Sequence, residues 1–175
     1  MKILVFVSPS NFKDDQLKMA RLFLDKWGIG YDVSSYTSSD AKGSQGHVQR
    51  VNVNTSSVIP SNYDGVIVIG GQGIENYKLY EYRPLLDILT IFNRNRKLVC
   101  GIGSGIRPIV RANLVRDRRI VHNNDKTLMD AIRLFHGIPS ERSVESDGGI
   151  ITISDREIGH MEEGMKLFVE TLTSA

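Results

Sequence analysis

Tyr63-Asp64-Gly65-Val66-Ile67-Val68-Ile69-Gly70-Gly71-Gln72-Gly73 decides the fold of this 175-residue chain. After Gly65 the segment is apolar and β-branched with no polar face. That is the pattern of a strand covered on both sides inside a parallel sheet. It runs directly into a glycine-rich turn. Two other segments repeat the arrangement. Residues 2–8, KILVFVS, form an apolar strand followed by the loop SPSNFKDD. Residues 97–102, KLVCGI, form another, followed by Gly103-Ser104-Gly105.

Helical periodicity fills the intervals. Leu17, Ala20, Leu24 and Trp27 share one face of a helix that Gly28 and Gly30 end. Leu85, Leu86, Ile88, Leu89 and Phe92 mark a second helix. A third starts near Ile106, with Pro108 in its first turn. Leu128, Ala131, Ile132 and Phe135 mark a fourth. The last carries Ile158, Met161, Met165, Phe168, Val169 and Leu172. Residues 31–36 alternate as a strand, 118–121 read as a short one, and 144–153 as a hairpin turning at Asp147-Gly148. The polar stretch 37–62 is expected to be a small hairpin or edge excursion around Val51, Asn52, Val53 and Asn54. Strand–helix alternation predicts a three-layer α/β/α sandwich, flavodoxin-like, with a mainly parallel sheet in one domain spanning residues 1–175.

Composition narrows the function classes. Hydrophobic residues make up 41% and charged residues 24%, enough apolar material for a core. The 22 basic and 20 acidic side chains leave +2, which argues for neither nucleic acid nor a membrane as partner. A single cysteine, Cys100, excludes an internal disulfide framework. The longest apolar run is too short to span a bilayer, and MKILVFVSPS lacks the features of a signal peptide, so a cytoplasmic location is expected.

In such a sheet, ligands bind beyond the carboxyl ends of the strands. The loops Ser8–Lys13, Gly70–Gly73 and Gly103–Gly105 are therefore the candidate cleft. None carries a named phosphate motif. GGQG lacks the lysine of a P-loop, and GIGSGI spaces its glycines two apart with no acidic residue at the required offset. GIGSG also misses G-x-S-x-G, its serine being one place late. A flavodoxin-like binder of a phosphate-bearing ligand at these loops is one reading. With no C-x-x-C and no H-x-x-x-H, no metal site is expected. Asp14 and Asp15 read as first-turn helix acids. Arg107, one helical turn from Arg111 and near the cleft by sequence, reads as solvated, with bidentate binding of a carboxylate or phosphate as its alternative; the cluster Arg116, Arg118 and Arg119 reads as a solvated turn or an interface patch. Tyr77, Tyr80 and Tyr82 fit either an interface or a half-buried helix start.

Taken in order, several segments resemble the ThiJ/PfpI family of the class I glutamine amidotransferase-like superfamily, which includes intracellular proteases, deglycase-like enzymes and chaperones. Residues 63–71 are similar to its Y-D-A-L-V-I-P-G-G, and 97–105 fall on its K-P-V-A-A-I-C-H-G. Residues 112–119 fall on A-G-V-L-[RK]-G-[RK]-[RK], and 147–152 on D-G-N-[IL]-I-T. The resemblance places Gly103 where the family has its nucleophilic cysteine, Ser104 where histidine often follows, and Lys13 where an acidic residue partners the thiol.

Cys100, inside the apolar strand, is expected to be buried and inert. The resemblance therefore implies a non-catalytic binding or assembly protein, a pseudoenzyme, with a cleft lined by Lys13, Gly70, Gly71, Gly103 and Ser104. No cofactor is expected; a small-molecule ligand and a homo-oligomer, dimer or larger, are. The alternative is a hydrolase of amidase, peptidase or deglycase type that uses Ser104. That serine needs a base, for which His122 is the candidate; His47, His136 and His160 are expected elsewhere.

Overall fold

The computed structural model describes residues 1–174. In chain order the elements are β1 (Lys2–Phe6), β2 (Ser10–Phe12), α1 (Asp14–Lys26), β3 (Gly30–Ser35), β4 (Ala41–Gly43), β5 (Val48–Gln49) and β6 (Val53–Asn54). They continue with β7 (Gly65–Val68), α2 (Gln72–Asn76), α3 (Arg83–Arg94), β8 (Leu98–Ile102), α4 (Ile106–Arg111) and β9 (Arg119–Val121). The chain closes with α5 (Lys126–Leu134), β10 (Ile138–Ser140), β11 (Val144–Asp147), β12 (Ile150–Ile153) and α6 (Ile158–Thr173).

The main sheet has seven strands in the order β11-β12-β8-β7-β1-β3-β6. All neighbours are parallel except the β11–β12 hairpin at one edge. The three-layer expectation follows from how the strands divide their side chains. Ile3, Val5, Ile67, Cys100, Ile102 and Ile151 point into a core closed by α1 and α6. Leu4, Phe6, Val66, Val68, Val99 and Ile150 point the other way, against α3, α4 and α5. Both faces are apolar because both are covered, which is why these strands read as continuous hydrophobic runs. Cys100 belongs to the first core and is fully buried, with its thiol pKa raised by desolvation. Native protein at neutral pH is expected to resist alkylation by iodoacetamide at Cys100. Guanidinium-unfolded protein should add one label, as read by intact mass.

Two readings shift. Trp27 does not share the buried face of Leu17, Ala20 and Leu24: α1 stops at Lys26, and Trp27, its C-cap, is 42% exposed. The 37–62 segment does two things. β4 and β5 form an antiparallel hairpin that pairs with β2, whereas the alternating Val53–Asn54 joins the main sheet as an edge strand on β3. Asp14, in the first turn of α1, also pins this hairpin by accepting from the backbone N–H groups of Gln45 (3.3 Å) and His47 (3.1 Å). Among the described residues no helix is long and apolar enough to cross a membrane.

Candidate functional site

The chain leaves β1 for one side of the sheet and returns through β7 to the other, so the strand order reverses between these two neighbours. Loops after β1 and β7 diverge there, which opens a crevice at their carboxyl ends. The loops after β8, β9 and β12 converge on the same place. The result is a cleft of about 570 Å³ lined by Lys13, Ser104, Arg107, Asn123, Asp155 and neighbouring loop residues.

The floor is the turn after β8. Gly103 is buried with φ +56, a left-handed conformation that suits glycine and strains other residues. Directly above it lies Asp155, the second residue after β12. A Cβ built on Gly103 would stand 2.6 Å from Cγ of Asp155. The space that a side chain at this turn would take is therefore held by a carboxylate from another loop.

Three side chains hold that carboxylate. Gln16, on the buried face of α1, donates from Nε2 to Oδ2 at 2.8 Å. Its Oε1 accepts from the N–H of Gly70 at 2.7 Å, so one amide ties α1 to both the β7 and β12 loops. Asn123 donates from Nδ2 to Oδ1 at 2.8 Å and accepts from the Asp155 N–H at 3.0 Å. Asn123 reaches it because β9 is docked on the sheet, its Val121 N–H bonded to Oγ1 of Thr152 at 3.0 Å. Lys13 completes the set with Nζ 3.3 Å from Oδ2. Its own N–H donates to the carbonyl of Gly70 at 2.9 Å.

Ser104 is half-buried beside this group. Its hydroxyl donates to the carbonyl of Gly71 at 3.1 Å and accepts from the Gly71 N–H at 2.8 Å. His122 is buried, and its Nδ1 accepts from the N–H of Asn124 at 3.0 Å. No hydrogen bond joins Ser104 to His122 among the described residues. Of the residues expected in the cleft, Lys13, Gly71 and Ser104 line it, while Gly70 and Gly103 lie in the backbone beneath. His47 is elsewhere, with Nε2 3.2 Å from Oε1 of Gln49. His136 is exposed after α5, and His160 bonds Oγ of Ser154 at 3.0 Å.

The opposite wall is an ion pair. Arg107 reaches Oε2 of Glu75 at 2.6 Å and lies over the ring of Tyr80, its guanidinium carbon 4.2 Å from the centroid. Arg107 is thus clamped rather than freely solvated, and its hydrogen bond holds the Glu75 carboxyl below the usual glutamate range. A depressed pKa means stability contributed above the unfolded value and lost as pH falls through the folded one. Glu75→Gln is therefore expected to cost at most about 1 kcal/mol at pH 7, since the pair is half exposed, and nothing once pH falls below the folded pKa. Parallel urea titrations of the two proteins at neutral and acid pH read this. Among the described residues no group of three or more His, Cys, Asp or Glu side chains is placed to hold a metal ion.

Gln16, Asn123 and Asp155 escape a motif search because they come from distant loops. One sequence signal was available: Gln16 is the polar member of the otherwise apolar Leu17, Ala20, Leu24 face.

A family profile described as the DJ-1/PfpI family matches residues 1–170. The chain belongs to the DJ-1/PfpI family. Solved structures agree on the fold. A ThiJ/PfpI domain protein from Brachyspira murdochii superposes with a TM-score of 0.90 at 23% identity, over 99% of this chain and 97% of that one. A putative protease I from Bacteroides thetaiotaomicron gives 0.84 at 17% identity, covering 98% of each. DJ-1beta from Drosophila melanogaster gives 0.83 at 19%, over 99% and 91%. An uncharacterized protein of Methanocaldococcus jannaschii is 24% identical over 151 residues, 86% of this chain and 73% of its own length. The solved structures carry the three-layer α/β/α, flavodoxin-like architecture read from the sequence.

Proposed function

We propose that this DJ-1/PfpI-family chain binds a small polar molecule in the cleft and carries out no covalent thiol chemistry. The observation that carries the reading is the placement of Asp155. Its carboxylate, fixed by Gln16, Asn123 and Lys13, covers a glycine at the turn where the family resemblance expects a nucleophilic cysteine. The one thiol of the chain lies in the core, in its neutral form. A covalent mechanism needs an activated nucleophile, and neither glycine nor a protonated buried thiol is one.

The lining suggests the kind of ligand. Lys13 and Arg107 are each neutralised by a carboxylate, and the remaining groups are amides, hydroxyls and Asp125. Such a surface suits an uncharged or zwitterionic molecule able to give and take hydrogen bonds, such as an amino acid or polyol. A ligand that binds only the native state raises the melting temperature by mass action. A thermal-shift panel of amino acids and polyols is expected to contain a stabilising compound whose effect is lost in Lys13→Met. A flat response across the panel contradicts the binding reading.

The hydrolase alternative assigns the chemistry to Ser104. It requires ester or amide turnover that disappears in Ser104→Ala, and a serine-directed phosphonate adduct at that residue. We expect neither, because the hydroxyl already donates to a backbone carbonyl and has no base bonded to it. A homo-oligomer is part of the same proposal and is read by sedimentation equilibrium.

A further inference from the structure

We propose a second site, for a phosphate-rich small molecule such as pyrophosphate or tripolyphosphate, at the amino-terminal edge of the sheet. It lies at the opposite end of the strands from the cleft and is independent of the function proposed for the cleft. A cavity of about 490 Å³ opens there between the end of α3, the start of β8 and the β11–β12 turn. Its lining holds Arg94, Arg96, Lys97 and Arg118 and no carboxylate. None of these four cations forms an ion pair with a carboxylate among the described residues. Six cations outside the hollow, Lys2, Lys13, Arg83, Arg107, Arg111 and Arg119, are paired with acids; what sets this group apart is that four cations share one lining with no carboxylate. Four unpaired like charges around one hollow repel one another, and a multivalent anion relieves that repulsion.

The site is built rather than accidental. Arg118 is half-buried, with Nη1 donating to the carbonyl of Leu114 at 2.7 Å and to Oδ1 of Asn93 at 3.3 Å. These bonds use both hydrogens of Nη1 and fix the positive charge in place before any ligand arrives, which lowers the entropy lost on binding. The hairpin tip is shaped around it: a Cβ built on Gly148 would stand 2.6 Å from Nε of Arg118, so any larger residue would displace the arginine. Lys97 is anchored too, by a bond from Nζ to the carbonyl of Pro60 at 3.0 Å and by packing over the ring of Phe92. Arg94 and Arg96 are exposed and able to close over a bound anion. Asp147, next to Gly148, pairs with none of the four cations; its carboxylate accepts from the N–H of Arg119 at 2.9 Å. The exposed guanidinium groups of Arg94 and Arg96 are free to bind phosphoryl oxygens in pairs, and the cavity of about 490 Å³ has room for a small oligophosphate.

Isothermal titration of the full chain with pyrophosphate and with tripolyphosphate, at constant ionic strength in chloride, tests the assignment. Saturable one-to-one binding is expected, tighter for tripolyphosphate. Arg94→Gln/Arg96→Gln, both at exposed positions, should weaken it at least about tenfold. Arg118→Lys, which keeps the charge but loses the bonds to Leu114 and Asn93 that hold it in place, should weaken it several-fold with the melting temperature reported alongside. Lys18→Gln/Lys26→Gln, which removes two exposed charges from α1, and the cleft variant Lys13→Met should leave it unchanged. No saturable binding overturns the proposal. So does an equal loss in the α1 control, which would indicate diffuse charge, or a loss in Lys13→Met, which would move the site to the cleft. Retention of an RNA or DNA duplex without pyrophosphate binding also overturns it.

Discussion

Gly103→Cys is expected to lower the unfolding free energy by about 2–6 kcal/mol and to produce no thiol-dependent turnover. Two costs add. The backbone at this position has φ +56, where a residue with a Cβ carries about 1–3 kcal/mol of strain. The new side chain also enters volume held by Asp155, and overpacking a fixed site typically costs about 1–3 kcal/mol. To admit a sulfur, Asp155 has to move away from Gln16 and Asn123, and both donors then lose a charged acceptor. A double-mutant cycle with Asp155→Gly isolates the clash. The double variant should be less destabilised than the sum of the singles, because one substitution removes what the other collides with. Urea midpoints for the four proteins read the cycle. Additive effects would show that Asp155 does not occupy the space above Gly103.

Gln16→Leu is expected to cost about 3 kcal/mol, although leucine has nearly the same volume and the position is fully buried on an apolar face. The loss comes from polar groups left without partners. The Gly70 N–H would be stranded in the interior, and Asp155 would lose one of its three side-chain partners. An unsatisfied buried donor costs about 1–3 kcal/mol and a lost bond to a charged group about as much. Gln16→Glu separates shape from charge. It keeps an acceptor for Gly70 but sets a carboxylate against Asp155. One of the two acids then has a folded pKa raised above its unfolded value. Stability is therefore highest at low pH and falls as pH rises through that folded value. The midpoint of Gln16→Glu should approach wild type near pH 4 and fall well below it at pH 7, whereas Gln16→Leu should be low at both.

The sheet was legible because its strands are buried on both faces. Val66–Ile69 and Val99–Ile102 have no polar side chain to confuse the period, and glycines mark where each stops. The placement of Gly103 and Ser104 at a carboxyl end followed from the same pattern. What stands above Gly103 was not legible. Asp155 and Asn123 are polar residues in loops, and residue types in loops say little about which of them meet across 32 positions. Their meeting depends on β9 docking against β12 through Thr152, a tertiary event with no local signature. Arg118 was misread for a similar reason. In a run with Arg116 and Arg119 it looks like surface charge, and only the fold brings the carbonyl of Leu114, Asn93 and a bare hairpin tip around its guanidinium. Trp27 failed for a local reason: the apolar spacing continues one residue beyond the point where the helix ends.

The most direct test of the account is a turnover and mass measurement on one preparation of the purified chain. It is incubated with an aldehyde, an ester and a peptide substrate, with intact mass recorded throughout. The account predicts no turnover above the buffer rate and no adduct on the single thiol or on Ser104. Turnover that survives repurification and disappears in Cys100→Ser or Ser104→Ala, accompanied by a covalent intermediate on that residue, would contradict it.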